Sequence, residues 1–348
     1  MTQTGLTVAV TGPTGEIGLA FLRALEHSPV VGEVRGMARR PFDPASIGLS
    51  KTRYVQGDVL DRDAVARLVE GADVVVHLAF LIFGDPRQSR EINLEGSRNV
   101  FEATASAGAR RLVYTSSVAA YGFHESNPLP LHEDLGPAGS EDFYYSAQKA
   151  ELESTLAEAL EGTEVSAYVF RPCIVGGPDS PALVSNVPYV GTPALLPPLL
   201  RSIVDKVPSV GPLILDPGTP LQLVHADDVA QALVIAVEGG GKPGTYNLAG
   251  DGEFTMKDLA RELGWRWVPV PGLAVDVSAE LVKRLPAMPS QASWIQTARV
   301  PVVMDTTRAH EVLGWKPTHD TLDTLHETVE GAKAAGIVSA TGRVGGSA

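Results

Sequence analysis

The chain has 348 residues, 44% of them hydrophobic, which suits a substantial core in one large domain or two modest ones. Its 28 basic and 41 acidic residues leave a net charge of −13, which argues against nucleic acid and anionic membranes as main partners. The single cysteine, Cys173, excludes an internal disulfide, no apolar run is long enough to span a bilayer, and "MTQTG" lacks the features of a signal peptide, so a cytoplasmic protein is expected.

Thr7–Thr11 reads as a buried strand and Glu16–Glu26 as a helix, joined by "TGPTGEIG" with Gly12, Gly15 and Gly18 at intervals of three. Backbone N–H groups at such a helix start lack intrahelical partners and, with the helix dipole, make an anion site. Gly12 suits a tight turn, Gly15 lets a pyrophosphate reach the backbone, and Gly18 lets helix and strand pack closely. A purely structural βα turn is the alternative; the strand before and the helix after favour a dinucleotide. The second strand, Glu33–Met37, runs into "ARRP". An NAD site usually has an acidic residue here for the ribose 2′-hydroxyl. Arg39 and Arg40 stand there instead, and a guanidinium fork suits a 2′-phosphate. NADP(H) is therefore favoured over NAD, against the reading that the arginines merely solvate a strand end. In "GDVLD", Asp58 is either an adenine-edge contact or a cap for the helix Asp61–Val69.

Further strands at Asp73–Leu78, Arg111–Tyr114 and Glu164–Phe170 alternate with helices at Arg90–Ala107 and Phe143–Leu160. The strands are continuous apolar runs, as expected when helices cover both faces. The alternation predicts an α/β fold, a Rossmann-type doubly wound parallel sheet. Ligands of such sheets lie beyond the carboxyl ends of the strands, which puts Thr115, Ser116 and Ser117 at the same edge as the glycine turn. A hydroxyl there can hold a substrate oxygen; an ST-turn is the plain alternative. "YYSAQK" places Tyr145 and Lys149 four apart on one helix face. Tyrosine at its ordinary pKa is a poor acid–base group near neutrality, and a neighbouring ammonium should favour phenolate and lower that pKa. Tyr144 and Gln148 share the spacing but carry no charge.

Residues 176–222 are rich in proline and glycine with little periodicity, before "LQLVHADDVAQALVIAV" (221–237) and "GTYNLAG" (244–250) resume the strand-and-helix pattern. The expected organisation is a dinucleotide-binding domain, 1–175 plus about 221–250, a smaller interleaved substrate-binding cap, 176–220 and 251–331, and a flexible tail, 334–348. "SPALVSNVPYVGTPALLPPLL" suits a ketone or alcohol carrying hydrocarbon, or is simply the cap's core. Arg201, Lys206, Arg299 and Arg308 are the cations that could grip a diphosphate. The eight histidines are scattered, with no H-E-x-x-H and no zinc spacing, so no metal site is expected.

Taken jointly, "TGPTGEIG", "GDVLD", "VVVHLAF", "INLEGSRNV", "VYTSSVAAYG", "YYSAQK", "RPCIVGGP", "VHADDVA" and "LGWKP" resemble the extended short-chain dehydrogenases/reductases of the NAD-dependent epimerase/dehydratase type. They follow the family's order over nearly the whole chain. The resemblance implies that Ser117, Tyr145 and Lys149 are catalytic, with Lys149 also reaching the nicotinamide ribose. To the cofactor-binding set of Gly12, Gly15, Gly18, Arg39, Arg40 and Asp58 it adds Thr14, Glu16, Ile17, Val59, Leu78, Ala79, Phe80, Thr115, Pro172 and Val175. Ser116 and Phe80 fall on the substrate side, and Asn93 and Asp228 are family-like positions that are either functional or structural. A homodimer formed through a helical face is usual for the family. "TSSVAA" lacks the carboxylate that the family's dehydratases typically place beside the serine. The expected function is therefore an NAD(P)-dependent oxidoreductase moving hydride between nicotinamide and a carbonyl or alcohol of a small-molecule substrate. A nucleotide-sugar epimerase is the alternative. A non-catalytic cofactor sensor is a third reading, and should have lost the tyrosine or the lysine.

Overall fold

A computed structural model describes residues 5–82, 89–141, 143–185, 212–270 and 300–338. The cap stretch 187–200, the cations Arg201, Lys206 and Arg299, and the tail beyond 338 lie outside the described residues. The chain divides into two compact units. The first comprises Met1–Cys173, Ala226–Leu248 and Met304–Lys316; the second comprises Ile174–His225, Ala249–Val303 and Pro317–Ala348.

Among the described residues, six strands come before residue 173: β1 Leu6–Thr11, β2 Val31–Ala38, β3 Thr52–Gln56, β4 Val74–His77, β5 Arg111–Thr115 and β6 Ser166–Pro172. The later strands are β7 Ile174–Gly176, β8 Leu213–Asp216, β9 Leu223–His225, β10 Gly244–Leu248 and β11 Arg266–Pro269. The helices are α1 Glu16–Glu26, α2 Arg62–Val69, α3 Gly96–Ala107, α4 Tyr144–Leu160, α5 Ala182–Ser185, α6 Ala226–Glu238, α7 Met256–Glu262 and α8 Thr321–Ala334.

The first unit holds a seven-stranded parallel sheet in the order β10-β6-β5-β4-β1-β2-β3. The order reverses at β1, and sheets of this kind bind ligands beyond the carboxyl ends of the strands at such a switch point. Apolar runs make this sheet because both faces are covered: Val74, Val75, Val76, Leu112 and Val113 have no exposed surface. One face packs with Phe101, Val100, Leu152 and Leu156 from α3 and α4. Local chemistry sets the helix starts. Asp61 accepts from the N–H groups of Asp63 and Ala64 at 3.0 Å and so caps α2.

Two expectations need correction. The helix predicted over Arg90–Ala107 carries a π-turn at Glu91–Glu95 before α3 begins. Within it Asn93 turns inward and bonds both backbone groups of Leu81 and the Gln148 side chain. The segment Met304–Lys316, expected in the cap, belongs to the first unit. Trp315 is buried there with its indole N–H donating to the Asp228 carbonyl at 2.8 Å, Asp305 O accepts from Asn247 at 3.1 Å, and Arg308 pairs with Glu133 and Asp134. No local pattern announces these contacts, which span more than fifty residues.

The second unit contains two parallel strand pairs, β7 with β9 and β8 with β11. Phe254, Leu259, Leu263, Trp265, Leu325 and Val329 form its core. Among the described residues no helix is long and apolar enough to cross a membrane.

Candidate active site

The glycine turn between β1 and α1 assigns a different task to each glycine. Gly12 has φ +73°, and a Cβ there would stand 2.6 Å from the Ala79 nitrogen. A Cβ on Gly18 would stand 2.5 Å from the Gly12 carbonyl oxygen. Both glycines are therefore needed for the backbones to approach. At Gly15 the nearest atom would be 3.5 Å away, an ordinary contact, and the residue is exposed. Gly15 is also the N-cap of α1 and offers no capping side chain. Its open face beside the helix start suits an anion.

The end of β2 is held from below. Tyr54 OH donates to the carbonyls of Ala38 and Arg40, and Gln56 Nε2 donates to that of Arg39 at 2.8 Å. Arg39 and Arg40 are exposed, and neither pairs with a described carboxylate. Asp58 accepts from the Leu60 N–H at 3.1 Å, so it shapes its own turn, and Asp61 supplies the helix cap. The Val59 carbonyl accepts from Asn99 Nδ2 at 3.0 Å.

Ser117, Tyr145 and Lys149 are brought together at the carboxyl end of β5, all three buried. Ser117 caps the short 3₁₀ turn Val118–Tyr121, accepting from the Ala119 N–H at 3.1 Å. Its hydroxyl is also hydrogen-bonded to the Tyr145 side chain. Lys149 Nζ donates to the Thr115 carbonyl at 2.8 Å and lies 4.0 Å from the centre of the Phe80 ring. Phe80 in turn meets Tyr145 edge-on at 5.5 Å. Thr115 Oγ1 is buried at the same strand end with no hydrogen-bond partner among the described residues.

The electrostatics differ from the sequence expectation. Burial pushes the Tyr145 phenol up to about 12, and the Ser117 hydrogen bond only partly offsets it. Burial pulls Lys149 down to about 7, against the nearby Glu153 carboxylate, which raises it. The expected lowering of the phenol by Lys149 does not appear: burial, the Ser117 hydrogen bond and the neighbouring Tyr144 set its pKa. The ammonium is desolvated, and its proton contacts go to a carbonyl, the Tyr114 hydroxyl and ring faces. The phenol is therefore a protonated donor near neutrality.

A model described as the NAD dependent epimerase/dehydratase family matches residues 8–249. The chain belongs to that family. Across 336 residues it is 29% identical to a 3-diazoavenalumate denitrifying reductase of Streptomyces sp, covering 90% of this chain and 97% of that one. It is 29% identical over 177 residues to sterol demethylase protein B of Methylococcus capsulatus; the match covers 50% of this chain and about half, 52%, of that relative's length. A short-chain dehydrogenase/reductase superfamily protein from Agrobacterium tumefaciens, solved with bound NAD, superposes with a TM-score of 0.70 at 18% identity, over 94% of this chain and 98% of that one. That last likeness is one of fold.

Several members of the family constellation departed from the sequence reading. Ser116, expected beside the substrate, turns away and donates to Glu153 Oε1 at 2.6 Å. Glu153 is held by a buried, two-pronged pair with Arg171, at 2.9 and 2.6 Å, and the guanidinium lies 4.3 Å from the centre of the Tyr121 ring. The sequence offered a hint, since Glu153 follows Lys149 by one helical turn, but Arg171 comes from another strand. His77 was passed over as well. It bonds Thr11 Oγ1 at 2.6 Å and Ser97 Oγ at 2.8 Å, and burial, with Lys149's charge, pulls it down to about 3, so it is a neutral strut. Asn93 and Asp228 are buried; the Asn93 side chain bonds the Leu81 backbone, and the Asp228 main-chain carbonyl accepts from the Trp315 indole. Arg308, proposed as a diphosphate grip, is engaged by Glu133 and Asp134. Pro172 ends β6, whereas Val175 pairs with Val224 in the second unit.

Proposed function

We propose that this family member is an NADP(H)-dependent oxidoreductase that interconverts a carbonyl and an alcohol on a small molecule. The observation that carries the reading is the buried convergence of Ser117, Tyr145 and Lys149 at the carboxyl end of β5, on the sheet edge that also bears the glycine turn. The turn fits a dinucleotide: Gly15 leaves an open face at an uncapped helix start, and the orphaned Thr115 hydroxyl awaits a partner. Gly12, Gly15 and Gly18 would hold the pyrophosphate, with Thr14, Glu16 and Ile17 around them. Asp58, Val59, Leu78 and Ala79 would line the cofactor's flank. The exposed Arg39 and Arg40, paired with no carboxylate among the described residues, support a 2′-phosphate and hence NADP(H). Nicotinamide, when bound, supplies or accepts the hydride.

The chain's own residues handle the proton. Ser117 donates to the substrate oxygen and keeps it beside Tyr145. Tyr145, protonated in its buried site, donates to the oxygen as negative charge develops there. Lys149, with a pKa of about 7, can hold or release a proton near neutrality and would hold the ribose of a bound dinucleotide. In the Tyr145→Phe variant NADPH binding should persist while NADPH consumption with a panel of ketones and aldehydes falls by about 10²–10⁴-fold. Wild-type rates in that variant would refute the role. The epimerase alternative, which the family description also covers, predicts NAD retained through purification and no net NADPH consumption.

A further inference from the structure

The second unit brings together three metal-ligating side chains from distant parts of its sequence. His225 ends β9, His319 lies just before α8, and Glu327 lies within α8. One ligand atom from each falls within 4.8 Å of the other two. His225 Nε2 is 3.2 Å from Glu327 Oε2, and the two imidazole rings stack with centroids 4.0 Å apart. No residue of this cluster is shared with Ser117, Tyr145 or Lys149.

We propose that His225, His319 and Glu327 bind a divalent transition-metal ion, zinc in the first instance. The geometry supports an ion. Two ligands of a tetrahedral zinc, at bond lengths of ~2.0–2.1 Å, stand about 3.3 Å apart; the His225–Glu327 separation of 3.2 Å matches that edge. Gly177 lets the backbone pack against the face of the His225 ring. A Cβ on Gly177, at φ +130°, would stand 2.8 Å from His225 Nε2. That glycine is pinned by its N–H, which donates to Thr328 Oγ1 at 2.8 Å.

The remaining closure falls to the half-buried partners. His319 and Glu327 are half-buried and His225 is buried, so the first two can swing by the roughly 1.5 Å that separates 4.8 Å from a tetrahedral edge. Thr318 Oγ1 contacts His319 Nδ1 at 3.1 Å, which orients the ring and assigns the ligand bond to Nε2. Two imidazoles and one carboxylate suit zinc, cobalt, nickel or copper and disfavour magnesium and calcium, which take oxygen ligands. A water completes the fourth position. The ion would tie the end of β9 and the turn before α8 to that helix. Sequence spacing conceals the set, because its members meet only through the packing of α8 on β9.

The test uses the full chain, stripped with a chelator and titrated calorimetrically with Zn²⁺ or Mg²⁺, with metal content measured after dialysis. One zinc per chain, a raised melting temperature and no response to Mg²⁺ are expected. His319→Ala and Glu327→Gln, both at half-buried positions, should abolish the stoichiometric binding, and Thr318→Val should weaken it about 10-fold. Co²⁺ should give the visible bands of a tetrahedral nitrogen–oxygen site in the wild type alone. Substoichiometric zinc in the wild type, or equal zinc in both ligand variants, overturns the proposal.

Discussion

Replacing Gly15 and Gly18 separately by alanine distinguishes a cofactor cradle from a structural turn. At Gly18 the added methyl meets the Gly12 carbonyl oxygen at 2.5 Å and the Pro13 carbonyl at 2.7 Å, both backbone atoms that cannot swing aside. Overpacking of this kind costs about 1–3 kcal/mol. For a unit of this size each kcal/mol lowers the melting temperature by roughly 2–4 °C, so Gly18→Ala should lose roughly 2–12 °C. At Gly15 φ is −81° and ψ 171°, which alanine adopts freely, and the nearest atom is 3.5 Å away. Gly15→Ala should therefore melt within about 1–2 °C of the wild type, the residual cost being the poorer N-cap. Its methyl would nevertheless stand where a pyrophosphate must touch backbone. If the same 1–3 kcal/mol overpacking applies to the bound state, dinucleotide affinity falls about 5- to 150-fold. Differential scanning fluorimetry reports the first quantity, and titration of NADPH and NADH fluorescence reports the second. Wild-type affinity in Gly15→Ala would move the pyrophosphate away from this turn, and equal destabilisation of both variants would reduce the turn to scaffolding.

Exchanging both Arg39 and Arg40 for alanine should raise KM for NADPH by about 10-fold or more, the worth of a charge-assisted hydrogen bond, while leaving NADH unchanged; an unaltered ratio of the two would remove the 2′-phosphate assignment. Lys149 is held at about 7 in the fold against 10.5 in the open chain, so between those values the unfolded chain carries a proton the native one lacks, and stability contributed here rises with pH. Lys149→Met should accordingly be more stable than wild type to urea at pH 7, with the advantage shrinking toward about pH 10; a pH-independent difference would show that Lys149 titrates normally. Glu153→Gln leaves Arg171 charged and buried without its counter-ion, and should cost about 3 kcal/mol or more by urea denaturation, with partial recovery in the Glu153→Gln/Arg171→Met double variant.

Much of the frame was legible in one dimension because its causes are local. Apolar runs bounded by glycine turns marked the strands, and the spacing of Gly12, Gly15 and Gly18 marked a βα turn in which Gly12 and Gly18 let the backbones approach. A tyrosine and a lysine four apart must share a helix face wherever that helix lies. What only the tertiary structure decided is the state and company of those groups. The proton affinity of Tyr145 follows from the desolvation that surrounding elements impose, and the lowering expected from Lys149 has no part in it. Ser116 and Ser117 are neighbours in the chain, yet one bonds Glu153 and the other Tyr145. The return of Met304–Lys316 to the first unit, and the meeting of His225, His319 and Glu327 in the second, rest on contacts between segments remote in sequence. Local preferences act through neighbours along the backbone, whereas burial and ion pairing depend on what folding brings alongside, and no window of the sequence contains that.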